Sequence, residues 1–329
     1  MMFKKQTLLS LFVFTIFCFS CENVSTSKTA ISFEKLLVNS KENSITIENN
    51  QFDFSWIINV DGFNKSQSAY HILVATSKEK LNESDANIWN SNKIESSQST
   101  FVKYQGAALK PMQKYFWKVK IWDEKGEVSA WSKPQGFETG IIENKNWGDS
   151  KWITLNKDTR TSKHQFRDYK TGKMEEPIQV NGFAASYFRN EIDINKKIEN
   201  AQAYICGLGY YELYLNGEKV GNHVLDPAPS NYDKQAYYVK YDVTKEIKEG
   251  KNAFGIILGN GFYGQNISWK RDAESEKDLA YGAPTVKLLV KVNYTDGSSK
   301  DFYTDENWKE ATGPIVFNNI YGGDTYDAN

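Results

Sequence analysis

Apolar residues in this chain fall into short runs with a period of two, and almost nowhere into the spacing of an amphipathic helix. From Ile45 onward the runs read Ile45-Thr46-Ile47, Phe52-Asp53-Phe54-Ser55-Trp56, Tyr70-His71-Ile72-Leu73-Val74-Ala75 and Tyr115-Phe116-Trp117-Lys118-Val119-Lys120-Ile121-Trp122. Each is rich in aromatic and β-branched residues and bounded by polar stretches, the pattern of sandwich strands. Tyr115, Trp117 and Val119 share one face, and Trp56 alternates with Phe52 and Phe54 on an early strand, where it fills the centre of a core. No stretch of three turns has apolar residues spaced at 3.6, so the chain is expected to be all-β.

The second half repeats the pattern with clearer turns. Tyr211, Leu213 and Leu215 alternate with Tyr210, Glu212 and Tyr214 before Asn216-Gly217, the strongest short hairpin signal. Asp242-Val243-Thr244 is expected to cap one short helical turn ending at Gly250, ahead of a strand from Ala253 to Leu258. Val286, Leu288, Val290, Val292 and Tyr294 then alternate up to a second turn at Asp296-Gly297. An antiparallel jelly-roll sandwich follows from this order.

The first residues have a different character. Lys4 and Lys5 precede an apolar stretch from Leu8 to Phe19, broken only by Ser10 and Thr15 and ending in Phe19-Ser20-Cys21. The run is too short to span a bilayer, which takes about 20 apolar residues, and has the charge and length pattern of a signal peptide. The ending resembles a bacterial lipobox, with Cys18 where Leu is usual, so residues 1–20 are expected to be a lipoprotein signal and Cys21 the lipidation site. Residues 21–44, rich in Ser, Lys, Glu and Asn, are expected to be a flexible tether.

Composition narrows the chemistry. Once the signal is removed only Cys21 and Cys206 remain, too few for a disulfide framework, so burial must hold the fold together. Aromatic residues at 14% supply that core. Lys plus Arg (40) nearly cancels Asp plus Glu (41), and no basic run follows the signal, which argues against a nucleic-acid partner. His71, His164 and His223 show no metal-ligand spacing with one another or with Cys206. Ser186, Ser230 and Ser268 lack the glycine elbow of a hydrolase nucleophile. Gly259-Asn260-Gly261 follows an antiparallel strand and opens no helix, so its glycines are expected to shape a tight exit loop rather than cradle phosphate. No metal and no cofactor is expected.

Two stretches are specific enough to carry a family resemblance. In the first half, Leu109-Lys110-Pro111 stands just ahead of Tyr115 in the arrangement of a tyrosine corner. With the Gly126 turn and Ser129-Ala130-Trp131-Ser132 before Phe137-Glu138-Thr139, residues 45–140 resemble a fibronectin type III domain. The second half carries Tyr204-Ile205-Cys206-Gly207-Leu208-Gly209-Tyr210-Tyr211-Glu212-Leu213-Tyr214-Leu215-Asn216-Gly217, Leu225-Asp226-Pro227, Asn231-Tyr232-Asp233-Lys234 and Tyr241-Asp242-Val243-Thr244. Leu258-Gly259-Asn260-Gly261-Phe262-Tyr263 and the closing Ile320-Tyr321-Gly322-Gly323-Asp324-Thr325-Tyr326-Asp327-Ala328 complete it. Residues 147–329 resemble the N-terminal β-sandwich, galactose-binding-like, of a bacterial α-L-rhamnosidase. Phe262 stands where that family often has Trp, Asp324 where it has Glu, and Asn329 where it has Arg.

The resemblance implies an inverting glycoside hydrolase that releases terminal α-L-rhamnose from a rhamnose-containing glycan or glycoside. Its catalytic part would be an α-helical toroid following these β domains. The acid and base carboxyls would lie there, so no catalytic residue is assigned within 1–329, and these residues alone are expected to be inactive. The implied partners are that C-terminal catalytic domain, the glycan, and a membrane reached through Cys21, in an exported envelope protein. The alternative is a freestanding carbohydrate-binding or scaffold lipoprotein without hydrolase activity. Aromatic faces stack on sugar rings while amides and carboxylates bind their hydroxyls, which singles out Tyr263, Gln265, Asn266 and Trp269 in one loop, with Tyr321 and Asp324 in the closing segment. Asp327 is a further contact candidate there, and Glu212 is expected to face solvent.

Overall fold

A computed structural model describes residues 31–42, 46–47, 51–60, 63–155, 162–164, 168, 170–176, 178–180, 184–264, 281–320 and 322–328. Antiparallel strands carry nearly all the regular structure, and the one helical element among the described residues is a 3-10 turn at Asn144–Trp147. The chain divides into two units, Met1–Thr139 and Gly140–Asn329.

In the first unit the period-two pattern becomes two facing sheets. The smaller orders Ser32–Val38, Asp53–Asn59 and Val102–Lys103. The larger orders Thr46–Ile47, Gln135–Thr139, Lys114–Asp123, Gln67–Ala75 and Trp89–Asn90, with Ile94–Glu95 also on Gln67–Ala75. Phe52, Phe54 and Trp56 from one sheet meet Tyr115, Trp117, Val119 and Ile121 from the other, all at 1% exposure or less. Phe54 and Trp117 are the closest ring pair, with centroids 4.3 Å apart. Burying an indole N–H without a partner is costly, and Trp56 avoids this by donating from Nε1 to Gln67 Oε1 at 2.9 Å. Gln67 in turn donates to the carbonyls of Ser96 and Gln98.

Tyr115 makes the corner its spacing suggests. Its hydroxyl accepts from the Lys110 N–H at 2.8 Å and lies 3.2 Å from Gln113 Oε1, to which it donates. Ser129 and Ser132 complete the edge of the Lys114–Asp123 strand, their hydroxyls accepting from the N–H groups of Ile121 and Val119, both at 3.0 Å. Between them Trp131 covers the outer face, with Lys118 and Lys120 4.8 and 4.6 Å from its ring and His71 5.1 Å away. Burial lowers the His71 pKa, so it stays neutral beside Asn90, 2.6 Å from its Nε2.

The second unit is a sandwich of a four-stranded and a five-stranded sheet. The first orders Val239–Asp242, Ile198–Leu208, Thr285–Tyr294 and Ser299–Tyr303. The second orders Glu218–Lys219, Tyr210–Leu215, Gly250–Gly259, Ser186–Ile194 and Lys309–Thr312. Val286, Leu288, Val290 and Val292 meet Leu213, Phe254, Ile256 and Leu258 in the core. Asn216 and Gly217 both have positive φ, as a two-residue hairpin requires, and set Tyr214 opposite Lys219. Asp242 caps a single turn, accepting from Thr244 N–H at 3.0 Å, before Ile247 N–H closes on Val243 O at 3.0 Å.

Two boundaries differ from those read in the sequence. Residues 32–38, expected to be tether, form a strand paired with Asp53–Asn59, with Leu36 and Val38 buried against the first core. The polar residues of that segment concealed an edge strand, which needs only one buried face. The second unit, expected from about 147, begins at Gly140 because the stretch ahead of it is structural. Ile141 N–H donates to the Tyr238 hydroxyl at 3.0 Å, and the Trp147 ring lies 5.8 Å from that of Tyr238. Trp147 and its neighbours cover the outer face of the four-stranded sheet, so Tyr204, Cys206 and Leu289 are buried on a side that alternation alone assigns to solvent. The predicted signal peptide, Cys21 and the rest of the tether to residue 30 lie outside the described residues.

Replacing Tyr115 by Phe leaves the Lys110 N–H without its acceptor and is expected to cost about 1–3 kcal/mol. Urea unfolding that shows a loss below about 0.5 kcal/mol would remove the corner as a stabilising contact.

Candidate functional site

The most constrained part of the second unit is the exit of the Gly250–Gly259 strand. Gly209 has φ +125, and a Cβ there would sit 2.4 Å from the Gly259 carbonyl oxygen; at Gly261, φ +52, it would sit 2.8 Å from the Tyr210 nitrogen. These glycines let two backbones pass in contact, the structural role read for the loop. Immediately beyond, buried Asn260 donates its N–H to Asn318 Oδ1 at 2.6 Å and its Nδ2 to Asn318 O at 3.1 Å. That pair fastens the Ile315–Asn319 and Gly323–Tyr326 hairpin to the strand exit.

The pinned loop carries Phe262 and Tyr263 into an aromatic cluster. Tyr263 and Tyr281 stack at 5.7 Å and 16°, and Tyr232 meets both edge-on at 5.3 and 5.1 Å. Phe262 meets Tyr210 edge-on at 6.2 Å. Tyr281 is 46% exposed while Tyr232 and Tyr263 are half-buried, so the cluster leaves part of its aromatic surface open to solvent, a surface suited to a polyol with an apolar ring face. Of the predicted contact residues, Tyr263 stands in this cluster, while Gln265, Asn266, Trp269 and Tyr321 lie outside the described residues. Asp324 is exposed on the hairpin strand opposite Asn318, and desolvation raises its carboxyl. Sequence reasoning missed Tyr232 and Tyr281 as partners of Tyr263, although Tyr232 belonged to a motif already picked out.

Other reactive groups are tied up in structure. Asp226 Oδ2 accepts from the Tyr241 hydroxyl at 2.5 Å and lies 2.9 Å from His223 Nδ1, while Asp226 O accepts from Tyr211 N–H. Among the described residues no nucleophile joins this His–Asp pair: Ser230 donates to Gln235 O, and Cys206 Sγ to Tyr237 O at 3.2 Å. Burial pushes the Cys206 thiol up to about 12, far from the thiolate range that reactivity needs. Partial burial works to raise the Glu212 carboxyl, but hydrogen bonds from Lys219 and Tyr214 outweigh it and hold the pKa low, so Glu212 stays ionised on the sheet's outer face. A general acid needs the opposite shift. Among the described residues no three His, Cys, Asp or Glu side chains are grouped to hold a metal.

Comparison with known proteins places both units. Residues 33–143 match the family described as the Rha78A-like, N-terminal immunoglobulin domain, and residues 196–329 match the alpha-L-rhamnosidase N-terminal domain. The first range opens within the Ser32–Val38 strand. An alpha-L-rhamnosidase of Formosa agariphila is 64% identical over 323 residues, covering 98% of this chain and 34% of that protein. One from Alteromonas sp. (strain LOR) is 31% identical over 277 residues, 83% of this chain and 28% of its own length. The solved alpha-L-rhamnosidase from Dictyoglumus thermophilum superposes with a TM-score of 0.77 at 36% identity, over 91% of this chain and 32% of that one. The chain thus spans about a third of the length of the curated relatives it matches.

Asn318→Ala removes the acceptor of a buried N–H and is expected to destabilise the second unit by about 1–3 kcal/mol. Hydrogen exchange at Asn260 is the direct readout: undiminished protection in the variant would mean that Asn318 does not hold the strand exit.

Proposed function

Since the chain belongs, through both of its domains, with the N-terminal parts of the α-L-rhamnosidases, we propose that it is the non-catalytic accessory region of such an enzyme. The whole protein would hydrolyse terminal α-L-rhamnosidic bonds by inversion, and the catalytic carboxyls would sit in a following helical domain that these sandwiches support. The supporting observation is the match itself: nearly the whole chain aligns at 64% identity with about a third of a relative, and residues 196–329 match the alpha-L-rhamnosidase N-terminal domain. The paired, ionised state of Glu212 is consistent with a region that positions rather than reacts. Purified residues 22–329 are expected to leave an aryl α-L-rhamnoside intact, while the protein extended by the helical domain cleaves it. Cleavage by residues 22–329, lost on replacing one of their carboxylates, would overturn the accessory reading.

We also propose export and lipid attachment through Cys21, from the basic start, the short apolar run and the Ser20-Cys21 ending. In cells fed radiolabelled palmitate, the protein is expected to take up label and Cys21→Ser to take up none. Equal labelling of both would exclude Cys21 as the anchor.

A further inference from the structure

The outer face of the four-stranded sheet carries a cation that has no counter-charge among the described residues. Lys287 stands on that face, directly across from Cys206 in the Ile198–Leu208 strand. Its ammonium lies 5.3 Å from the centre of the Trp147 ring and 5.9 Å from that of Trp152. Other lysines nearby have carboxylate partners: Lys291, further along the same outward row, pairs with Asp301 at 3.3 Å, and Lys151 with Glu306 at 2.6 Å. Lys287 has none. Among the described residues the ionisable group that acts on it is the Cys206 thiol, which burial keeps protonated. Half-buried, the ammonium loses hydration, and this lowers its pKa. The two rings return part of that loss as cation–π attraction but offer no carboxylate oxygen to its N–H groups.

Backbone bonds fix the exposed ring beside it. Lys151 N–H donates to Thr304 O at 2.7 Å, and Ile153 exchanges two bonds of 3.0 Å with Val286, the residue before Lys287. Trp152, between these two pinned positions, is 45% exposed. The Trp147 ring, by contrast, is buried and meets Tyr238 at 5.8 Å. The missing partner can be read from what these groups lack. Among the described residues Lys287 is the cation over these two rings, and a single ammonium suits a singly charged anion better than a phosphate dianion. A carboxylate would gain charge-assisted hydrogen bonds from it. The exposed indole adds apolar surface on which a pyranose face can rest. A carboxylate attached directly to a pyranose ring is the chemistry of a uronic acid.

We infer that Lys287 and Trp152 form a binding site for a uronic acid residue of an acidic glycan, its carboxylate on the Lys287 ammonium and its ring face on the Trp152 indole. The inference rests on the reading of the protein as part of a glycan-cleaving enzyme. It adds that the glycan held by this region is acidic.

The test is titration of the full chain with the methyl glycosides of glucuronic and galacturonic acid, beside the neutral methyl glucoside and galactoside, read by calorimetry and tryptophan fluorescence. At least one uronide is expected to bind about tenfold or more tighter than its neutral counterpart, the loss of a hydrogen bond to a charged group. Lys287→Met keeps the stem, removes the charge and breaks no ion pair, so it is expected to keep the unfolding midpoint and abolish that preference. Lys287→Arg is expected to retain most of it, and Trp152→Ala to weaken uronide binding more than Trp152→Phe. Binding of neither uronide, equal binding of acidic and neutral glycosides, or an unchanged preference in Lys287→Met overturns the inference. So does lowered turnover of the longer enzyme carrying Lys287→Met when neither uronide binds, which would make Lys287 a contact for an acidic residue of the following domain. Absence of uronide binding beside intact aryl-rhamnoside cleavage by the longer enzyme sinks this inference alone, whereas failure of both sinks the reading beneath it as well.

Discussion

The second unit depends on two backbones passing in contact where the Tyr210–Leu215 strand begins and the Gly250–Gly259 strand ends. A side chain at Gly209 or Gly261 would force them apart, and the register that aligns Tyr210 with Gly259 would be lost. From that register come the buried row of Leu213, Ile256 and Leu258, the outward row of tyrosines, and the position from which Asn260 reaches Asn318. The asparagine pair adds no apolar burial. It satisfies polar groups that would otherwise be stranded in a dry site, and in doing so joins segments 58 residues apart.

The first unit solves the same polar problem with other residues. Its core is unusually aromatic, and each large ring brings an edge or a donor that must be accommodated. Gln67 answers the Trp56 indole, Tyr115 answers the Lys110 amide, and Ser129 and Ser132 serve the strand beside Trp131. On the outer face the same indole lies between two lysines and beside a neutral histidine, so cations and aromatic surface shield one another. These devices stabilise a sandwich that has no disulfide among the described residues.

Function in such a scaffold resides in what is attached to its faces and loops. The reactive-looking groups, Asp226 with His223, Glu212 with Lys219, and the Cys206 thiol, are each held in a structural partnership that keeps them from reacting. The faces are less fully used. The tyrosine cluster at the strand exit leaves aromatic surface open to solvent, with Tyr281 46% exposed.

Strand identity, the Asn216-Gly217 hairpin, the tyrosine corner and the structural role of the Gly259-Asn260-Gly261 loop were all legible in the sequence. Each depends on residues close together in the chain, where alternation or turn chemistry acts directly. The family resemblance was legible too, because its motifs are short local strings. What only the tertiary structure decided depends on distance in space. The Ser32–Val38 strand is stable because Asp53–Asn59 lies beside it, and Tyr204 and Leu289 are buried because the Trp147 segment folds over their face. Tyr232 and Tyr281 join Tyr263 across separations of 31 and 18 residues. Local pattern determines which way a side chain points, but only the packed fold determines what it meets there.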